Sequence, residues 1–226
     1  MKNVLLFTGV IGSLLIITGC QSYEPTDAAM AYSENHEVID EEEKNELLDV
    51  SDEIFFTSDR SNQTAEATST VIPDRQDYLN LPEGRYRIYG QGGGNVEVYD
   101  ANDNLLVGDY VGRGFAPSLT VDLKEDFTVK VDGFYDLFVE PTDTKMQTEL
   151  TSGIWEVGLD VPAGEYEVTA QNGMGYLTIF DPEQESQVYE IIGNKYSPTK
   201  SKITLEEGQK VRVTGVAKLV LNEMKE

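Results

Sequence analysis

Two side chains that do nucleophilic or acid–base chemistry at neutral pH occur once each, Cys20 and His36. A lone cysteine closes no disulfide within the chain, and one cysteine with one histidine leaves a Cys/His zinc site short of ligands. A Ser-His-Asp triad would have to use His36, which lies in a segment whose composition reads as unfolded. Asp100, Asn102 and Asn104 have the D-x-N-x-N spacing of a calcium loop. The sixth and twelfth positions of such loops need Gly and Glu, and here hold Leu105 and Val111. An Asp/Asn-rich turn accounts for the pattern, and no metal site is expected. Gly90 to Gly94 has the glycine content of a phosphate loop but leads into a strand, not a helix, so a hairpin turn is expected. Carboxylates for glycoside hydrolysis are abundant, but nothing singles out a pair. The chain is therefore expected to be no enzyme and to carry no cofactor.

The remaining chemistry is aromatic. Trp155, Tyr176 and Tyr189 form the candidate binding surface, since aromatic rings facing solvent on a β-sandwich stack on sugar rings or seat a protein partner. Most of the other rings, Tyr89, Tyr99, Tyr110, Phe115 and Tyr196, are expected in the core. Phe115 and Tyr196 precede matching prolines and should pack beside that loop.

The first element that must position this chemistry is the N-terminus. Residues 1–19 have a short positive start at Lys2 and an almost wholly apolar run from Val4 to Ile17. Such a run is a targeting segment and is short for a spanning helix. It ends Ile17-Thr18-Gly19-Cys20, which resembles the lipobox of bacterial lipoproteins. That resemblance implies cleavage before Cys20 and a diacylglycerol thioether on its sulfur. The implied address is the extracytoplasmic face of the cell membrane, lipid-anchored; two or more acyl chains hold stably where one is marginal.

Residues 20–70 read as the lipidated cysteine and a disordered acidic tether. Between Gln21 and Thr70 there are 14 acidic and 2 basic residues, half of the net charge of −24. Few periodic apolar residues are available to offset the entropy of ordering. A flexible coil of about 50 residues spans ~40 Å. Within it, Asp40-Glu41-Glu42-Glu43 suits the first turn of a helix. Leu47, Leu48, Val50, Ile54 and Phe55 follow as an apolar stripe that packs on the first domain or folds on a partner. The net charge argues against nucleic acid and anionic lipid headgroups as partners, because both repel this chain.

The rest of the chain is one module written twice, over 71–141 and 150–222. Leu81-Pro82-Glu83-Gly84-Arg85-Tyr86 answers to Val161-Pro162-Ala163-Gly164-Glu165-Tyr166. Pro presets a turn, Gly tolerates positive φ, and alternation follows. Tyr86 and Ile88 share one face and Arg85 and Arg87 the other; Tyr166 and Val168 oppose Glu165 and Glu167. The glycine clusters, the Gly112–Ser118 and Gly193–Thr199 loops and the closing strands also correspond, with an offset of 80 to 82. No helix-period stretch interrupts them. The fold expected is all-β: two tandem small antiparallel β-sandwich or barrel modules after the tether.

The second copy opens Gly153-Ile154-Trp155-Glu156-Val157-Gly158-Leu159-Asp160-Val161-Pro162-Ala163-Gly164-Glu165-Tyr166. This resembles the G-x-W-x-V-G-x-D-[IV]-P-x-G-x-Y module of secreted proteins and lipoproteins of Gram-positive bacteria. At the same offset the first copy has Arg75 for Trp155 and Asp77-Tyr78 for Val157-Gly158, so a role for Trp155 belongs to the second copy alone. The function expected is non-enzymatic binding or an envelope-structural role, with an envelope protein or polysaccharide as partner. The alternatives are a small secreted-type hydrolase and an accessory carbohydrate-binding protein.

Overall fold

The computed structural model describes residues 26–71, 76–194 and 198–224; the apolar leader, Cys20, Arg75 and Tyr196 lie outside them. The described chain is all-β apart from two short helices and a 3-10 turn near its start. Copy one supplies β1 (Thr68–Val71), β2 (Gln76–Leu79), β3 (Gly84–Gln91), β4 (Gly94–Tyr99), β5 (Leu105–Val111), β6 (Leu119–Leu123), β7 (Thr128–Asp132) and β8 (Asp136–Pro141). Copy two supplies β9 (Glu149–Leu150), β10 (Ser152–Glu156), β11 (Gly164–Phe180), β12 (Gln187–Ile192), β13 (Ser201–Leu205) and β14 (Lys210–Glu223).

In copy one, β1-β8-β3-β6 and β2-β7-β4-β5 are two sheets packed face to face. Their alternating apolar residues meet between them: Tyr86, Ile88, Val121 and Val139 from one sheet, Val96, Val98, Val129 and Val131 from the other. Copy two has the same pairing with longer strands. β11 pairs first with β13 and then with β12, and β14 runs beside it throughout. β11 thus stands for β3 plus β4, and β14 for β7 plus β8.

This corrects the expected hairpin at Gly90–Gly94. β3 and β4 belong to different sheets, and Gly92-Gly93, at φ 90° and 76°, carry the chain round the corner between them. In copy two the matching glycines bend strands without breaking them. A Cβ on Gly173 would lie 2.2 Å from the Gly215 carbonyl oxygen, so β11 and β14 cross closely only because both positions are glycine. The opening strand is corrected as well. Trp155 lies opposite Val211, and Leu79 lies opposite the equivalent Val129. Leu79, not Arg75, is the counterpart of Trp155, and copy one keeps its opening strand as β2.

The repeated Pro-Gly turn has a shared purpose. Tyr86 and Tyr166 are buried, and each hydroxyl donates to the carbonyl oxygen of the turn proline, Pro82 at 3.0 Å and Pro162 at 2.8 Å. The turn carbonyl is satisfied while the ring fills the core. Gly84 is not at positive φ. Its small size matters because an added Cβ would lie 2.6 Å from the Ala65 side chain.

The copies are fused. β6 pairs in parallel with β10 through Ser152 and Gly153, so one ten-stranded sheet runs through both. Trp155 and Val157 enter the second core, while Ile154 and Phe180 are buried in the first. Burying each of these last two contributes about 1.5–3 kcal/mol.

The described part of the tether is ordered, against expectation. Thr26 caps helix α1 (Asp27–Asn35), and Asp40 caps helix α2 (Glu41–Leu48) through Oδ1, which accepts from the amides of Glu42 and Glu43. The Val38 amide donates to the Val188 carbonyl at 2.7 Å, and the Glu190 amide to the His36 carbonyl at 2.9 Å, extending the edge at β12. Ile54 is buried in the first core, with Leu48, Val50, Phe55 and Phe56 packed against it. A few deep anchors outweigh the segment's unfavourable average composition.

Candidate functional site

At the junction of the copies lies a groove of about 380 Å³. β3 contributes Arg85 and Arg87, β10 contributes Trp155, and the link between β8 and β9 contributes Thr142, Asp143 and Lys145. On the side of β3 expected to face water, Arg87 is exposed but Arg85 is covered by copy two and is 1% exposed.

Under the groove is a square of charges. Arg85 Nη1 is 3.0 Å from Asp122 Oδ2, and Arg85 Nη2 is 3.0 Å from Asp160 Oδ2. Arg60, from the N-terminal segment, closes it at 2.9 Å from Asp122 and 3.0 Å from Asp160. Ser58 donates to Asp122 at 2.6 Å, and the Glu156 amide donates to Asp160 at 3.0 Å. Lys210 extends the network, 2.6 Å from Glu156, and donates to Thr57 and the Phe56 carbonyl. Burial lowers the pKa of the Arg85 guanidinium, and the Asp122 and Asp160 carboxylates oppose that shift. Burial alone would raise the Glu156 carboxyl, but Lys210, Thr57 and Arg60 hold it below its usual range. Desolvation of so many charges is offset only because each has several partners.

Trp155 joins the square to the groove. It is 5% exposed, its indole N–H donates to the Thr151 carbonyl at 3.0 Å, and the Arg85 guanidinium lies 5.1 Å from its ring centre. The ring is therefore held in one orientation, with its only polar atom used by the fold.

The three residues expected as a binding surface are not brought together. Trp155 lines the junction groove. Tyr176 lines a second cavity of about 200 Å³ and donates to Glu43 at 3.0 Å. Tyr189 is 3% exposed in the second core, where burial raises its pKa. Cys20 lies outside the described residues. Phe115 is corrected from core to surface, 53% exposed and edge-on to Tyr110 with ring centres 4.9 Å apart.

The other motifs have structural partners. Asp100 accepts from the amides of Asn102 and Asn104, the Asn104 side chain and Ser51. Burial alone would raise its pKa, but these bonds hold it down to about 2. Asp181 holds the matching turn, accepting from the amides of Glu183 and Gln184. His36 closes α1 at positive φ, its ring 5.3 Å from that of Tyr32.

Sequence reasoning missed the square. Asp160 belonged to the quoted module motif, and Arg85 to the repeated turn, but their meeting depends on how the copies dock. In the second cavity Arg212 is similar: burial lowers its pKa to about 10. It donates to the carbonyls of Leu106 and Leu47 over the ring of Phe180. The chain matches no family model and no curated protein sequence.

Proposed function

We propose that this chain is a lipoprotein, anchored through Cys20 on the extracytoplasmic face of the cell membrane, whose fused β modules bind an envelope component without catalysing a reaction. The observation that carries the binding role is the groove at the junction, where Trp155, the residue that sets copy two apart, stands beside charged side chains from both copies. The carboxyls with shifted pKa near folded turns and ion pairs, Asp100, Glu156 and Asp181, are all shifted down. A general acid needs the opposite shift. Five residues lie between Cys20 and Thr26, the cap of α1, a reach of at most ~20 Å. The modules then sit close to the bilayer rather than at the end of a long tether.

The test uses the full chain and its Cys20→Ala variant. The variant should lose palmitate labelling and leave the membrane fraction, then co-sediment with purified envelope stripped of the native protein. Unchanged labelling refutes the anchor, and failure to co-sediment refutes the binding role.

A further inference from the structure

We propose that the junction groove is a binding site for a neutral oligosaccharide. This rests on the binding role proposed above and names its ligand class. Six charged residues line the groove, Arg85, Arg87 and Lys145 against Asp143, Glu149 and Asp160, so the lining sums to zero. That is unusual surface in a chain of net charge −24. A polyanion is repelled by the whole molecule, and a polycation meets three fixed positive groups in the groove. A neutral ligand meets neither obstacle.

The polar groups suit hydroxyls. Ser118 and Thr120 line the groove with the charged pairs, giving donors and acceptors in close alternation. Arg85 Nη2, 3.0 Å from Asp160 Oδ2, places a fixed positive charge beneath the groove. Trp155, 5% exposed, is the one aromatic residue of the lining. An extended peptide would instead seek a free strand edge or apolar pockets, and this lining is polar with one aromatic ring. The volume lies within the ~300–1,000 Å³ of small-ligand sites. The site requires both copies, since Arg85 and Arg87 come from one and Trp155 and Asp160 from the other.

Trp155 is the chain's only tryptophan, so its emission reports on the groove directly. The Cys20→Ala protein is titrated with chitotetraose and cellotetraose, with tetragalacturonate as the charged control, and binding is followed in parallel by calorimetry. A saturable change in emission with at least one neutral tetrasaccharide is expected. Arg87→Ala and Lys145→Ala, at the exposed rim and outside the buried square, should each weaken it about three- to tenfold, the worth of one net hydrogen bond. The proposal is overturned if neither neutral sugar binds up to its solubility limit, or if the charged control binds as tightly. Calorimetric binding that leaves Trp155 emission and both rim variants unaffected places the site elsewhere and also overturns it. Envelope binding that persists without any sugar binding discards this ligand and keeps the binding role; loss of both discards both.

Discussion

Replacing Asp160 by Asn tests whether the charge square holds the two copies together. Asp160 is 1% exposed and receives Arg60, Arg85 and the Glu156 amide. Asparagine keeps the shape and an acceptor but removes the charge. Two guanidiniums, one of them 1% exposed, then share Asp122, with only Glu156 as a further carboxylate, 3.9 Å from Arg60. Breaking a buried pair from one side costs about 3–5 kcal/mol. A chain of this length loses about 2–4 °C in Tm per kcal/mol, so a fall of roughly 6–20 °C is expected. The control is Glu140→Gln at the surface pair with Arg87, whose side chains are 49% and 42% exposed. It should cost no more than about 1 kcal/mol and respond to salt, as the buried square should not. Urea unfolding followed by Trp155 emission gives both numbers, and the folded baseline should shift as Arg85 relaxes over the indole. An Asp160→Asn cost equal to that of Glu140→Gln would refute the reasoning.

Asp100 has a folded pKa of about 2, below the unfolded value near 3.9, so its contribution is present above pH 4 and lost as pH falls toward 2. Asp100→Asn should flatten stability against pH over that window, measured as urea midpoints from pH 6 to 2; parallel curves would sink the assignment. Ile154→Ala, in copy two but buried in the core of copy one, should cost about 2–5 kcal/mol and lower a single transition of the whole chain. Separate transitions for the two copies in calorimetry would show that they do not fold as one.

The strands were legible because half-buried sheets write alternation into sequence, as at Tyr86, Ile88 and at Val96, Val98. The repeat was legible because both copies keep the turn proline and the tyrosine whose hydroxyl satisfies its carbonyl. The docking of the copies was not. The β6–β10 pairing joins segments distant in sequence, and nothing local marks Arg85 as buried rather than solvated. The N-terminal segment misled for a different reason. Composition averages over 50 residues, whereas order there depends on Val38, Ile54, Ser58 and Arg60, each with a partner in a distant strand. The groove was half legible: Trp155 stood out as the residue without an equal in copy one, but its neighbours come from the other copy.

Equivalent positions on the two copies differ in a way that follows their surroundings. Arg85 pairs across β3 and β6 with Asp122, and the equivalent cross-strand pair on β11 and β13 is Glu165 with Thr204. The first pair is buried under copy two; the second faces solvent. On copy one this cross-strand pair lies under copy two and supplies two charges of the square, whereas on copy two it faces solvent. The strand edges differ in the same sense. β6 gives its edge to β10, whereas at β13 Asn35 takes the place of a strand, its amide donating to the Lys202 carbonyl at 2.9 Å and its Oδ1 accepting the Lys202 amide. Ser201 adds a hydrogen bond to the Asn35 carbonyl at 2.6 Å. An exposed strand edge is a template for further pairing, and a covered one is not. The same acidic segment that joins the square through Arg60 thus also covers the edge of β13 through Asn35.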